Sequence, residues 1–298
     1  MAQPFVLDLQ PDRAHFLTRT GDWLAGDPVR NTIITSLAHR TDARPAPGSW
    51  WLSVHDHRGH VVGAGMRTAP GGRRPPYLVA MPDAATSQLA ELLLARAEVI
   101  TAVNGHDTTT RRFADHVAGA TGQVVSEHML TRLHEVRTVL PPTRPPGELR
   151  RPTSGEVDLV TDWLADFTAE SDAQGGRSEA DRDPILPAPT RSEVARRIDG
   201  GELWVWSDGS RPVHLTGFRP PSYGVARIGP VYTPQEFRGH GYAGATVAEL
   251  SARLLGEGNR VCLFTDQANP VSNQLYAKLG YEAVTDTVGL HLDPAPPR

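Results

Sequence analysis

Cysteine is nearly absent: Cys262 stands alone in 298 residues, which excludes a disulfide framework and any multi-cysteine zinc site. Lysine is just as scarce. Lys278 is the single lysine among 30 basic residues, a composition that reflects GC-rich codons rather than function. No apolar run approaches the ~20 residues needed to span a bilayer. The longest stretch, Leu89 to Val103, is broken by Glu91, Arg96 and Glu98. The first residues carry Asp8 and Asp12 with no basic-then-apolar block, so the pattern of a signal peptide is missing. A soluble cytoplasmic protein is expected, with no membrane partner. A strong positive balance is lacking too: net charge −4 and a pI near 6.3 argue against a nucleic-acid-binding surface.

What is present is ordinary globular material, with 39% apolar and 21% charged residues. The length is about twice the ~150 residues of one domain, so two domains are expected. The clearest seam runs from Pro141 to Pro152, where four prolines and Gly147 crowd the first seven residues and resist both helix and central strand. This predicts domains at 1–145 and 146–298.

The second half alternates helix and strand. Thr153 and Glu156 form a capping box, followed by Val157, Val160, Leu164 and Phe167 at helical spacing. An acidic loop is expected from Glu170 to Asp183, and a helix from Ser192 to Ile198. A hairpin turns at Asp208-Gly209. A strand over Tyr223–Tyr232 precedes a helix marked by Ala243, Val247, Leu250 and Leu254. A buried strand at Val261–Thr265, a helix at Val271–Leu279 and a last strand at Tyr281–Leu292 complete the pattern.

The first half repeats it. Asp56, Val61, Gly65 and Arg67 coincide with Asp208, Val213, Gly217 and Arg219 at a constant offset of 152. Leu89 to Leu92 lies on Val247 to Leu250 at an offset of 158, so the second copy holds about six extra residues before its helix. They fall around Arg238, Gly239, His240, Gly241, Tyr242 and Ala243. A strand, a loop with two glycines and an arginine, then a helix leaves amides unpaired at a helix N-terminus, where an anion is favoured. It is neither Gly-x-Gly-x-x-Gly nor a Walker loop.

The segment VYTPQEFRGHGYAGATVAEL resembles the acyl-CoA-binding motif of the GNAT superfamily of N-acetyltransferases, with Arg238, Gly241 and Ala243 meeting its Gln/Arg-x-x-Gly-x-Gly/Ala pattern. Asn269, Ser272, Asn273, Tyr276, Gly280 and Tyr281 resemble the superfamily's second motif. The resemblance covers about residues 148 to 292; the first half is read as a degenerate copy. It implies tandem GNAT-like α/β domains, each a mixed, mainly antiparallel twisted sheet flanked by helices. It also implies acetyl-CoA as co-substrate and direct transfer of the acetyl group to a primary amine in a ternary complex.

By the same resemblance, the Arg238 to Ala243 amides hold the pyrophosphate, with Asn269, Ser272 and Asn273 contributing to the coenzyme site. Pro230 cannot donate a ladder hydrogen bond and suits a bulge. The Val231 amide is then the donor to the thioester carbonyl, and Tyr232 and Thr233 continue along the pantetheine arm. Tyr276 is the family's proton donor to the leaving thiolate. The copy carries Phe113 at that place and lacks the glycine loop, so it should neither bind CoA well nor catalyse. Residues 222–233 contain no carboxylate, unlike many families of this type. His214, Asp266, Glu170, a water relay or an already neutral acceptor stay open for the proton-accepting role.

No metal is expected. His55, His57 and His60 are read as a solvated turn, Cys262 as a small core residue, and Gly71 to Arg74 as exposed loop. Nine carboxylates against two arginines between Glu156 and Asp183 would attract a cation, suggesting a small-molecule or peptide amine of cationic character. Monomer and homodimer are both compatible. The competing readings are a non-catalytic acyl-CoA-binding regulatory protein and, third, transfer of an aminoacyl group from tRNA.

Overall fold

The structure, a computed structural model, describes residues 5–39, 46–69, 75–174 and 190–295. The chain divides into two compact units, residues 1–132 with 285–298 and residues 133–284. The division therefore falls thirteen residues before the expected boundary at 145, and the end of the chain joins the first unit instead of the second. The proline seam lies inside the second unit: the Trp206 indole donates to the Pro146 carbonyl at 2.8 Å, and the Leu140 amide to the Leu279 carbonyl at 3.0 Å. Residues 141–147 form no helix or strand, whereas Glu148–Arg150 form a short strand, and the whole segment packs.

The first unit contains β1 (Val6–Gln10), α1 (Arg13–Gly26), α2 (Thr32–Ala38), β2 (Trp50–His55), β3 (Val61–Arg67) and β4 (Tyr77–Leu78). It continues with α3 (Asp83–Ala95), β5 (Ala102–His106), α4 (Asp107–Thr121) and the start of β6 (Val124–Val136). Its strands run β1-β2-β3-β4-β5, antiparallel except for the β4–β5 pair. Phe16, Leu24 and Ile34 pack with Trp51 on the α1–α2 face, and Leu89, Leu93 and Phe113 with Leu52 on the α3–α4 face.

The second unit repeats this order with β7 (Glu148–Arg150), α5 (Val157–Gln174), α6 (Arg191–Asp199), β8 (Leu203–Asp208), β9 (Arg211–Ser222) and β10 (Val225–Tyr232). Then come α7 (Tyr242–Gly256), β11 (Arg260–Asp266), α8 (Pro270–Lys278) and the start of β12 (Glu282–Asp293), whose residues 287–291 pair antiparallel with β5 of the first unit's sheet. Strands β10 and β11 are parallel, and β10–β9, β9–β8 and β8–β7 antiparallel. Val160, Leu164 and Ile198 fill one face; Val247, Leu250 and Leu254 fill the other. Burying each such side chain contributes about 1.5–3 kcal/mol. The mixed, mainly antiparallel α/β architecture is as the sequence implied.

Local rules explain the element ends. Thr153 donates its amide and hydroxyl to the Glu156 carboxylate, which also takes two bonds from Arg150 and is held at a pKa of about 2, chiefly by that guanidinium. Asn269 caps α8 by accepting from the Ser272 amide, with Pro270 at the first helical position. The expected acidic loop differs: α5 continues through Gln174, four residues past Glu170. The remainder of that loop, and Gly71 to Arg74, lie outside the described residues. His57 and His60 are exposed as expected, whereas His55 is buried between the Ser53 hydroxyl and the Gly59 carbonyl.

Candidate functional site

Strand β10 does not pair evenly with β9. Its register shifts between Ile228 and Val231, on either side of Pro230, where a ladder donor is lacking. Val231 emerges half-buried against the same apolar cluster that contains Tyr276. Tyr276 sits on α8 with its ring edge-on to Tyr281 at 5.8 Å. It is only 6% exposed, and burial pushes its phenol well above the ordinary range. The structure thus brings two of the sequence-selected residues to one cluster.

Beyond the strand, Thr233 lies between two neighbours. Its hydroxyl is 2.7 Å from His214 Nδ1, and its carbonyl accepts from Arg238 Nε at 2.9 Å. His214 is fully buried, its Nε2 lies 2.6 Å from the Thr216 hydroxyl, and burial lowers its pKa to about 3. It is a neutral spacer between two threonines, not a solvent-facing base. Tyr232 is buried against Trp163, and its hydroxyl donates to Asp166 at 3.4 Å. Burial, and next the Asp166 charge, raises its pKa to about 12.

The glycine loop then turns into α7. Gly239 and Gly241 have φ of +81° and +84°, left-handed values that side chains resist, and no atom lies within 4 Å of where a Cβ would stand. Gly241 occupies the N-cap position and no side chain caps the helix, so the first α7 amides keep their donors. No acidic residue stands in the first turn. His240 is exposed, its Nδ1 2.9 Å from the Arg238 carbonyl, and its ring stacks on Tyr242 at 5.6 Å. Ala243 is half-buried, and Tyr242 turns inward to donate to Asp208 at 3.0 Å.

Arg238 has a partner that sequence reading did not pair with it. Its Nη2 donates to both Glu170 oxygens, at 2.8 and 2.6 Å. Asp158, Asp162, Asp166 and Glu170 recur every four residues along α5, a stripe legible in the sequence once the helix is extended past Glu170. Asn273 donates to the Asp266 and Gln267 carbonyls at 3.1 and 3.3 Å, closing the β11–α8 turn beside Asn269 and Ser272. Asp266 accepts from the Ala268 amide in that turn. Among the described residues no group of histidine, cysteine and acidic side chains could hold a metal ion, and no helix is long and apolar enough to cross a membrane.

A shifted strand, an uncapped helix start behind two glycines and a repeated unit can be set beside known proteins. Residues 211–289 match the model of the FR47-like protein family. The structure superposes on an acetyltransferase from the GNAT family from Colwellia psychrerythraea with a TM-score of 0.59 and 11% identity, over 97% of this chain and 99% of that one. A tandem GNAT protein from the clavulanic acid biosynthesis pathway superposes with a TM-score of 0.57 and 16% identity, over 98% and 100%. The chain has a tandem GNAT fold. A GCN5-related N-acetyltransferase from Sphaerobacter thermophilus shares this fold at 14% identity and a TM-score of 0.60, over 100% of this chain and 98% of that one. No curated protein matches the sequence. Within the GNAT fold, the FR47-like segment runs from β9 into β12 and contains the glycine loop and Tyr276.

Proposed function

We propose that the protein is an N-acetyltransferase that moves an acetyl group from acetyl-CoA to a primary amine within a ternary complex, using the second unit. The observation that carries this reading is the uncapped start of α7 behind Gly239 and Gly241, with open space above both. Such a helix end has donors for a pyrophosphate and a dipole that favours its charge. The residues fit the coenzyme: amides from Gly239 to Ala243 and the Arg238 guanidinium hold phosphates, and Tyr232, Thr233, Asn269, Ser272 and Asn273 border the arm. When bound, acetyl-CoA supplies an activated thioester.

The Val231 amide, which follows the bulge at Pro230 and lies beyond the last β10–β11 pair at Arg227, donates to the carbonyl oxygen as charge develops there. Tyr276, kept protonated by burial, donates to the departing sulfur. The α5 stripe replaces the carboxylate that β10 lacks, with Asp166 beside the end of that strand to attract an ammonium. The acceptor is therefore a cationic small molecule or peptide amine. The cytoplasm is the proposed compartment, in keeping with a single buried cysteine that forms no disulfide.

Titration of acetyl-CoA into the wild type and Arg238→Glu tests the reading. Saturable one-site binding that the variant loses supports it, together with free thiol released when an amine is added. Binding that survives the substitution removes the coenzyme from this loop. The second reading, a non-catalytic acyl-CoA-binding protein, draws on the buried neutral His214 and on a β10 without carboxylates. It requires binding without thiol release for any amine, and no effect of Tyr276→Phe.

A further inference from the structure

At the other end of α7 the second unit contains a cavity of about 460 Å³. Its wall includes Trp204, Phe218, Leu250, Arg151, Arg253 and Glu257. None of these belongs to the glycine loop, β10 or α8, so the cavity lies apart from the proposed coenzyme site. Its volume is in the range of small-molecule pockets.

Trp204 forms the base. It is 7% exposed, and its indole N–H is satisfied by the Gly201 carbonyl at 2.9 Å, so only its π-surface remains to be used. Two guanidiniums approach that ring, Arg253 at 4.5 Å and Arg151 at 5.5 Å from its centroid. Gly201 adjoins the same guanidinium: with φ of +69°, a Cβ there would stand 2.8 Å from Arg151 Nη2. Among the described residues neither Arg151 nor Arg253 forms an ion pair. Glu257 lines the same wall one helical turn beyond Arg253, yet lies outside ion-pair distance of both. Other arginines of the unit are closed onto carboxylates, Arg150 on Glu156 and Arg196 and Arg197 on Glu202, while Arg211 lies over a single ring, Phe237.

Two cations near one ring repel each other, and each guanidinium edge has several N–H donors in a planar fork. An oxyanion offsets that repulsion and fills the fork, while Trp204, Phe218 and Leu250 offer an apolar surface to a planar body. We propose that this cavity is a second ligand site, for a small aromatic oxyanion, either a carboxylate or a phosphate ester. It takes this ligand independently of acetyl-CoA.

The test is isothermal titration of benzoate, phenyl phosphate and inorganic phosphate into the full-length chain, the first two distinguishing carboxylate from phosphate. Saturable one-site binding of benzoate or phenyl phosphate is expected. Arg253→Gln and Arg151→Gln should each weaken it about tenfold or more. Arg253→Lys, which keeps the charge and loses the fork, should fall between. Inorganic phosphate, lacking the planar body, should bind at least about tenfold more weakly than phenyl phosphate. Unchanged melting temperatures of the exposed-arginine variants keep the comparison clean. No saturable binding up to about 10 mM, binding indifferent to both arginines, or inorganic phosphate as tight as phenyl phosphate each overturns the proposal. Arg238→Glu should leave this binding intact while acetyl-CoA binding is lost, which separates the failure of one site from that of the other.

Discussion

The two units share an order of elements, yet their strand-to-helix joints are built differently. In the first, β4 has two residues and four more lead straight to α3, whose first residue is Asp83, salt-bridged to Arg112. In the second, β10 has eight residues and nine more, with two left-handed glycines, lead to an α7 with no acidic residue in its first turn. An anion meets the Asp83 carboxylate within the first turn of one helix and uncapped amides at the start of the other, where Arg238 is held by Glu170. The same contrast holds one helix later, where fully buried Phe113 on α4 is the counterpart of Tyr276 on α8. Both units keep the packing, and among the described residues the second alone has the two left-handed glycines before this helix and a tyrosine at the later helix position.

The largest expected effect comes from reversing charge at the equipped joint. Arg238→Glu should weaken acetyl-CoA binding about 100-fold or more, since a carboxylate then faces the phosphates beside Glu170. Asp83→Asn, at the unequipped joint, should leave binding unchanged in the same calorimetric titration. A gain of a second acetyl-CoA site on Asp83→Asn would break the contrast.

Next is the aromatic pair. Tyr276→Phe should lower thiol release by roughly 10- to 100-fold with little change in the KM for acetyl-CoA. Phe113→Tyr should cost about 1–3 kcal/mol of stability, by burying a hydroxyl without a partner, and leave turnover unaltered. Equal rates for wild type and Tyr276→Phe would reduce Tyr276 to a core aromatic like Phe113.

A somewhat smaller effect follows from His214. Its folded pKa is depressed to about 3, so the folded state holds it neutral while the unfolded chain takes up a proton near pH 6.5. Its contribution is fully present above pH 6.5 and declines as pH falls below it. Between pH 6.5 and pH 5 the loss is about 2 kcal/mol. Denaturant titrations at both pH values should show it, and His214→Asn should flatten the slope.

The smallest effect is backbone strain. Gly241→Ala puts a side chain at φ +84°, costing about 1 kcal/mol in stability and about tenfold in acetyl-CoA affinity. Gly119→Ala in α4, where nothing stands within 4 Å and no positive φ is required, should be neutral or slightly stabilising.

The sequence alone determined what acts over a few residues. The capping box at Thr153 and Glu156, the hairpin at Asp208-Gly209 and the apolar spacing of α7 are local, and all were legible, whereas the helix expected from Val271 starts at Pro270 with Asn269 as its cap. The repeat could be read too, because the order of elements and a constant offset across the hairpin survive low identity. Tertiary structure decided what depends on partners far along the chain. Glu170 reaches Arg238 across 68 residues, and Asp166 meets Tyr232 across 66. The α5 stripe was visible as a spacing, but its target depended on how the helix packs against β10. Burial likewise decided that His214 is neutral and that Tyr242 turns inward to Asp208. The end of the chain belongs to the first unit because strand pairing is a long-range choice. Helix starts and turns follow from neighbouring residues; charge partners, burial and strand partners follow from packing, which no short window of sequence contains.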